Sequence, residues 1–286
     1  MTKEKGMLLG AMSIFGTIGI FVRYIPLPAS VIAFCRAVLG LIFLLAVILL
    51  SGKKPGKAAI KANLPILIIS GIAMGFNWIL LFESYRYTTV ATATVCYYLA
   101  PLLLLLASPL LGEKLTFQKL LCVGVALVGL VCISGVAEGS LPQKNELIGI
   151  GFGLGAAVLY ASVMFLNKKL SPMGAYDKTV LQLASAAVVI LPYLLLTEDL
   201  QSLSLTGLQV VLLLVVGILH TGIAYWLYFG SMEKLSAKTI SVLCYLDPVI
   251  AVLLSALLLK EPMTPVNIIG SVLILGSALY SERTNG

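Results

Sequence analysis

Apolar residues fall in runs of about twenty along the whole chain, separated by short polar, glycine- or proline-containing connections. About 20 consecutive apolar residues of helix are needed to cross the hydrocarbon core of a bilayer. Ten runs meet that pattern and are predicted as membrane-spanning helices. The first part holds 7–24, 29–50, 64–85, 90–110 and 119–136; the second holds 147–167, 178–196, 206–229, 238–259 and 266–281. The connections are short, so almost all of the chain is expected within the membrane, with no room for a nucleotide-binding or extracellular domain.

The pattern also repeats. Tyr98-Leu99-Ala100-Pro101 returns 147 residues later as Tyr245-Leu246-Asp247-Pro248. Leu111-Gly112-Glu113-Lys114-Leu115-Thr116 returns 148 residues later as Leu259-Lys260-Glu261-Pro262-Met263-Thr264. Residues 1–140 and 141–286 therefore read as two copies of a five-helix unit. Five is odd, so the copies must cross the bilayer in opposite directions, as in many secondary transporters. The expected fold is an all-α integral membrane protein of ten transmembrane helices in two inverted five-helix repeats.

Composition adds that 60% of the residues are hydrophobic, 11% are charged, and mean hydropathy is +1.07, which no soluble domain matches. The net charge of +7 would suit a polyanionic partner, but its distribution points elsewhere. Lys3, Lys5, Lys53, Lys54, Lys57, Lys61, Lys114, Lys119, Lys168, Lys169, Lys178, Lys234, Lys238 and Arg283 fall on the side of the termini. Only Arg23, Arg86, Lys144 and Lys260 fall on the other. The positive-inside rule then puts both termini in the cytoplasm, and no nucleic-acid partner is implied. Cys35, Cys96, Cys122, Cys132 and Cys244 all lie in apolar runs and read as packing residues rather than a disulfide framework. Lys-x-Lys before an apolar run resembles a signal peptide, but the run lacks a small-residue cleavage site and is expected to remain as the first span.

The proline-centred fourth and ninth runs, each followed by Leu-x-Glu-x-x-Thr, resemble the EamA-type, ten-span drug/metabolite transporter superfamily. Phe34-Cys35-Arg36-Ala37 with Gly40 matches a pattern seen early in each such domain, and the likeness covers essentially the whole chain. The resemblance implies ten helices in two inverted halves around a central cavity, a bacterial cytoplasmic membrane, and usually export of amino acids or other small metabolites. It leaves the substrate open. The second copy departs from the first at Asp247, where the first has Ala100, and at Pro262, where the first has Lys114.

Within the runs, aromatic and polar residues are the candidates for a substrate site. Trp78, Phe82 and Tyr85 recur at helical spacing, Tyr225 and Tyr228 share a face with Thr221, and Tyr97, Tyr98 and Tyr245 sit in the fourth and ninth runs. Converging rings would hold an ammonium group at about 0.5–2 kcal/mol each. Packing and interfacial anchoring are the other explanation for such rings. Trp78, Tyr98 and Tyr245 lie too near mid-span for the second.

Asp247 is expensive at about 2.5–3.5 kcal/mol at a helix centre. It reads as the ligand of a substrate amine or the carrier of a coupling proton, or else as an acceptor for backbone groups freed by Pro248. His220 could relay protons with Asp247 or simply pack. Arg36 stays charged and either anchors its helix or meets a substrate carboxylate. Asn77 and Glu83 are weaker candidates. Pro101 and Pro248 interrupt helical hydrogen bonding at matching places and read as hinges.

The expected activity is therefore alternating-access transport of an amino acid or related metabolite, driven by protons or by facilitated diffusion. A carrier of amines or aromatic cations is the alternative. A membrane-embedded enzyme is disfavoured: one histidine makes no zinc site, and neither His-Glu-x-x-His, Gly-x-Ser-x-Gly nor a phosphate-binding Gly-x-x-x-x-Gly-Lys-Ser/Thr occurs. No cofactor or metal is called for, and one chain suffices as a monomer.

Overall fold

The computed structural model describes the chain except residues 1, 53–54, 113, 115, 135–142, 202, 204, 233–234 and 285–286. Glu113, the junction expected near 140 and the end of the run 119–136 thus lie outside the described residues. The described residues form ten helices and no strand. They are α1 (Lys3–Arg23), α2 (Ala29–Leu50), α3 (Lys57–Tyr87), α4 in two pieces, α4a (Val90–Tyr97) and α4b (Ala100–Leu106), and α5 (Phe117–Ile133). There follow α6 (Lys144–Lys168), α7 (Ala175–Thr197), α8 (from Gly207 to Met232), α9 as α9a (Ala237–Cys244) and α9b (Leu246–Leu258), and α10 (Pro265–Thr284).

Six helices exceed 18 residues with an apolar window. The other four, α4, α5, α9 and α10, carry apolar stretches of 17 residues or fewer. Seventeen residues of helix span about 25 Å, near the lower limit for crossing. The short helices occupy the fourth and fifth places in each part of the chain. Helix α3 begins seven residues before its apolar run, because Lys57-Ala58-Ala59-Ile60-Lys61 continues the helix into the polar region.

Contacts between the two parts of the chain are reciprocal. Helix α1 packs on α8 and α9, just as α6 packs on α3 and α4; α2 packs on α8 as α7 packs on α3; α5 pairs with α10 and α2 with α7. The senses of crossing agree as well. Thr17 of α1 meets His220 and Gly10 meets Leu227, an antiparallel pairing, and Gly149 of α6 meets Thr88 while Asn77 meets Ala156, again antiparallel. Small residues allow these approaches: a Cβ on Gly71 would lie 2.6 Å from Ser185 Cβ, so α3 and α7 touch nearly backbone to backbone.

The loops sort into two ends. At one end Ser30 donates to Glu198 (2.6 Å) and Arg23 pairs with Glu261. At the other, the Gly56 amide donates to Asp177 (3.0 Å), Asn63 to the Ser171 carbonyl (3.2 Å), and Tyr176 to the Trp226 carbonyl (3.2 Å). The second end carries the N-terminal segment, Met7 lying against Gly230.

Candidate functional site

Both proline-centred helices are broken, and the prolines set the place of the break. A proline ring collides with the carbonyl four residues earlier. Four residues before Pro101 is Tyr97, the last residue of α4a, and four before Pro248 is Cys244, the last of α9a. Tyr98 and Tyr245 close the two breaks with nearly equal backbone angles, φ −74° and ψ 5° against φ −75° and ψ −4°. The pieces therefore restart in the middle of the bundle, where backbone groups are not paired along one continuous helix.

Asp247 sits in the first turn of α9b. A carboxylate there meets the positive end of the helix dipole, which offsets part of its transfer cost. Its Oδ2 accepts from the Tyr98 hydroxyl at 2.5 Å, so the break in one part is tied to the break in the other. Ala100, at the matching place in α4b, is fully buried and contributes no polar group.

Asp247 faces a cavity of about 150 Å³ that also receives Arg36, Asn77, Trp78, Tyr98 and Tyr225. Arg36 is 6% exposed. Its Nε donates to Thr221 Oγ1 at 2.9 Å, and its guanidinium carbon lies over Trp78, 4.1 Å from the ring centroid. Held at Nε and backed by an indole, the guanidinium lines the cavity beside the Tyr225 hydroxyl, and its forked geometry suits a carboxylate. Thr221 itself belongs to a π-helical segment of α8, Val215–Ile223, where its hydroxyl reaches back five residues to the Val216 carbonyl (3.2 Å). Extra residues of this kind inside a helix often mark functional sites, because they rotate the following side chains.

Asn77 is anchored rather than free: its amide donates to the Ala156 carbonyl at 2.5 Å, and Tyr97 donates to its Oδ1 at 3.4 Å. Tyr97 stacks on Tyr160 with centroids 5.0 Å apart, and Tyr225 meets Phe15 edge to face at 5.5 Å. The cavity thus presents one carboxylate and one guanidinium among aromatic walls, and no ion pair joins Arg36 to Asp247.

The EamA-like transporter family model matches residues 4–135 and again 147–281. The chain belongs to that family. An uncharacterized transporter of Bacillus subtilis, YxxF, is 31% identical over 96% of this chain and 88% of its own length. An uncharacterized transporter of Archaeoglobus fulgidus is 25% identical over 98% of this chain and 96% of its own. Protein PecM of Dickeya dadantii is 29% identical over 76% of this chain and 73% of its own. A chain of known crystal structure shares the fold, with TM-score 0.67, 19% identity, and coverage of 99% of this chain and 98% of that one. This EamA-family protein is accordingly a membrane transporter of small molecules and not an enzyme.

Several candidates of the transporter, His220, Tyr245 and Glu83 among them, stand outside the cavity lining. His220 is fully buried between α1 and α8, its Nε2 2.9 Å from Thr17 Oγ1 and its Nδ1 3.2 Å from the Val215 carbonyl, with Phe21 edge-on at 5.0 Å. Tyr245 packs with the apolar cluster of α4, α5, α6 and α10, its ring 6.1 Å from that of Tyr98. Glu83 lies near the end of α3, paired with Arg86 at 3.1 Å.

Tyr85, named with Trp78 in the sequence, lines the EamA-type cavity too, whereas Tyr160 and Phe15 line it without having stood out in the sequence. A signal for these two exists: each lies eight residues before the basic residue near the end of its helix, Arg23 in α1 and Lys168 in α6. The role of Thr221 carried no such signal, since an isolated threonine in an apolar run usually bonds its own helix.

Proposed function

We propose that this transporter moves amino acids or closely related small metabolites across the bacterial cytoplasmic membrane by alternating access, as an exporter. The observation that carries the reading is the presence of Arg36 and Asp247 on one cavity. A substrate with both an α-carboxylate and an α-ammonium satisfies both: the carboxylate takes the guanidinium fork, and the ammonium takes Asp247 with Tyr98, Tyr97 and Tyr225 as aromatic neighbours. Trp78 stiffens Arg36, and Asn77 fixes α3 against α6 behind the site.

A carrier of amines or organic cations is the second reading, favoured by Asp247 and the tyrosines. Arg36 weighs against it, because a permanent positive charge on the wall repels a substrate that is only a cation. If transport is proton-coupled, Asp247 is the group on the cavity that exchanges the proton; His220 is committed to Thr17 and Val215.

Residues 1–140 and 141–286 are taken as inverted repeats, a reading supported by the two family matches and the reciprocal helix pairings. The end carrying the N-terminus is taken as cytoplasmic, on the strength of the Lys/Arg bias. Pro101 and Pro248 serve as hinges at the base of α4b and α9b, and one chain is a sufficient unit.

The test is counterflow in proteoliposomes preloaded with a mixture of amino acids and small amines, at two pH values, with the natural protein and with Asp247→Asn. Exchange of amino acids that is lost in Asp247→Asn is the expected result. Exchange confined to amines favours the cation carrier. Unchanged exchange and pH dependence in Asp247→Asn removes Asp247 from both roles.

A further inference from the structure

A second cavity, of about 240 Å³, lies at the end of the bundle that carries Arg23 and Arg86. Its walls include the exposed Arg23, Pro26 and Arg86, so it opens at the surface as a vestibule. Among the described residues, the one that lines both this vestibule and the central cavity is Tyr85, which is 3% exposed. The Tyr85 ring stacks with Phe82 at 6.3 Å and is pressed towards Gly19 of α1, where a Cβ would lie 3.4 Å from its Cζ. The Tyr85 side chain on α3 thus stands between the two spaces.

Above that ring the helices are tied by Glu261. Lys260 adopts a left-handed conformation (φ 53°) just beyond α9b, and this turns the chain back so that Glu261 points into the bundle. Glu261 Oε2 accepts from the Val90 amide at 2.9 Å and from the Ser255 hydroxyl, and Arg23 lies 4.0 Å from Oε1. Arg23 also donates to the Tyr85 carbonyl. The Glu261 side chain is 9% exposed. This largely buried carboxylate is thus held by one oxygen to α4a and back to α9b, while the other has no hydrogen-bond partner among the described residues and faces only the Arg23 charge of α1.

Helices α4a and α9b are joined at both ends: Tyr98 to Asp247 at the cavity, Val90 to Glu261 at the vestibule. Bound in this way they form one antiparallel arm whose base is the pair of proline breaks. At the vestibule end its polar ties to α1 and α3 run through Arg23, beside the packing of Val90 on Gly19 of α1. The arm can therefore part from α1 and α3 without losing its own internal bonds.

We infer that Tyr85 is the gate between the central cavity and the vestibule, and that Arg23 and Glu261 are the latch holding it shut until the α4a–α9b arm swings away. The inference rests on the central cavity being the transport site, and it needs no particular substrate. Its test reads access instead of flux. Leu81→Cys puts a thiol on the central cavity one helical turn below Tyr85. Its reaction with a membrane-impermeant methanethiosulfonate reagent is followed by peptide mass spectrometry, in right-side-out and in inside-out vesicles.

With Leu81→Cys alone, labelling from the Arg23 face is slow. Adding Glu261→Gln, whose amide oxygen still accepts from Val90, removes the charge facing Arg23 and raises that rate severalfold, as the loss of one partly exposed ion pair would. Adding Tyr85→Ala does the same. Neither change raises the rate from the opposite face. Unchanged rates in both variants overturn the gate, and so do rates that rise equally from both faces, which mean general loosening. A rise with Tyr85→Ala but not with Glu261→Gln overturns the latch. Since no substrate enters the assay, failure of the amino-acid reading leaves the outcome legible.

Discussion

The Tyr98 hydroxyl donates to Asp247 across 2.5 Å, linking the break of the fourth helix to the break of the ninth. Because both groups lie on the cavity, the bond does two things at once. It holds the carboxylate at a defined place for a ligand, and it couples the two broken helices.

Tyr98→Phe keeps the ring and removes the bond. A hydrogen bond to a charged group is worth about 1.5–3 kcal/mol, so half-saturation for exchange is expected to rise roughly tenfold or more. Concentration dependence of counterflow in proteoliposomes checks it; an unchanged half-saturation value means the hydroxyl does not help hold the carboxylate in the working state.

Thr221→Val removes the acceptor at Arg36 Nε while retaining the shape of the side chain. Arg36 then leaves its position over Trp78 more readily, and a buried donor is left unpaired at a cost of about 1–3 kcal/mol. Exchange of amino acids should fall more than exchange of the corresponding amines lacking a carboxylate. Equal losses for both would assign Thr221 to packing alone.

Gly129 of α5 and Gly270 of α10 face each other, and a Cβ on either would lie 2.7 Å from the carbonyl oxygen of the other. Gly129→Val has no room to form and is expected to cost about 1–3 kcal/mol as overpacking. Gly276→Ala, in open space, should be neutral or slightly stabilising. Thermal aggregation midpoints in detergent, measured side by side, distinguish the two.

Lys260 holds φ 53°, and Gly112, its counterpart in the repeated segment, holds φ 79°. A side chain in the left-handed region costs about 1–2 kcal/mol, partly offset by the greater unfolded-state freedom of glycine, about 0.5–1 kcal/mol. Lys260→Gly should therefore raise the thermal midpoint slightly with Glu261 still in place. A fall would mean that the lysine stem packs in a way that outweighs its backbone strain.

Span, number of helices and break points were legible in the sequence because each depends on local chemistry. Run length decides what can cross the bilayer. A proline acts on the carbonyl four residues behind it, so Pro101 and Pro248 specify the ends of α4a and α9a whatever surrounds them. The cost of a mid-span charge singled out Asp247, and a guanidinium that stays charged within an apolar run singled out Arg36, before any neighbour was known.

Partnership was not legible in the same way. Nothing near His220 in the chain distinguishes a proton relay from a group bound to Thr17, 203 residues away. Tyr85 becomes a partition only where α1, α3 and the arm of α4a and α9b meet. Arg36 becomes a carboxylate-ready fork only because Thr221 and Trp78 reach it from other helices. The sequence by itself determined where this protein is helical, where it must break and which charges need compensation, since those follow from covalent geometry and transfer energies acting over a few residues. Only the tertiary structure decided which groups share a cavity and which one closes it, because those are properties of distances between segments that the chain brings together from far apart.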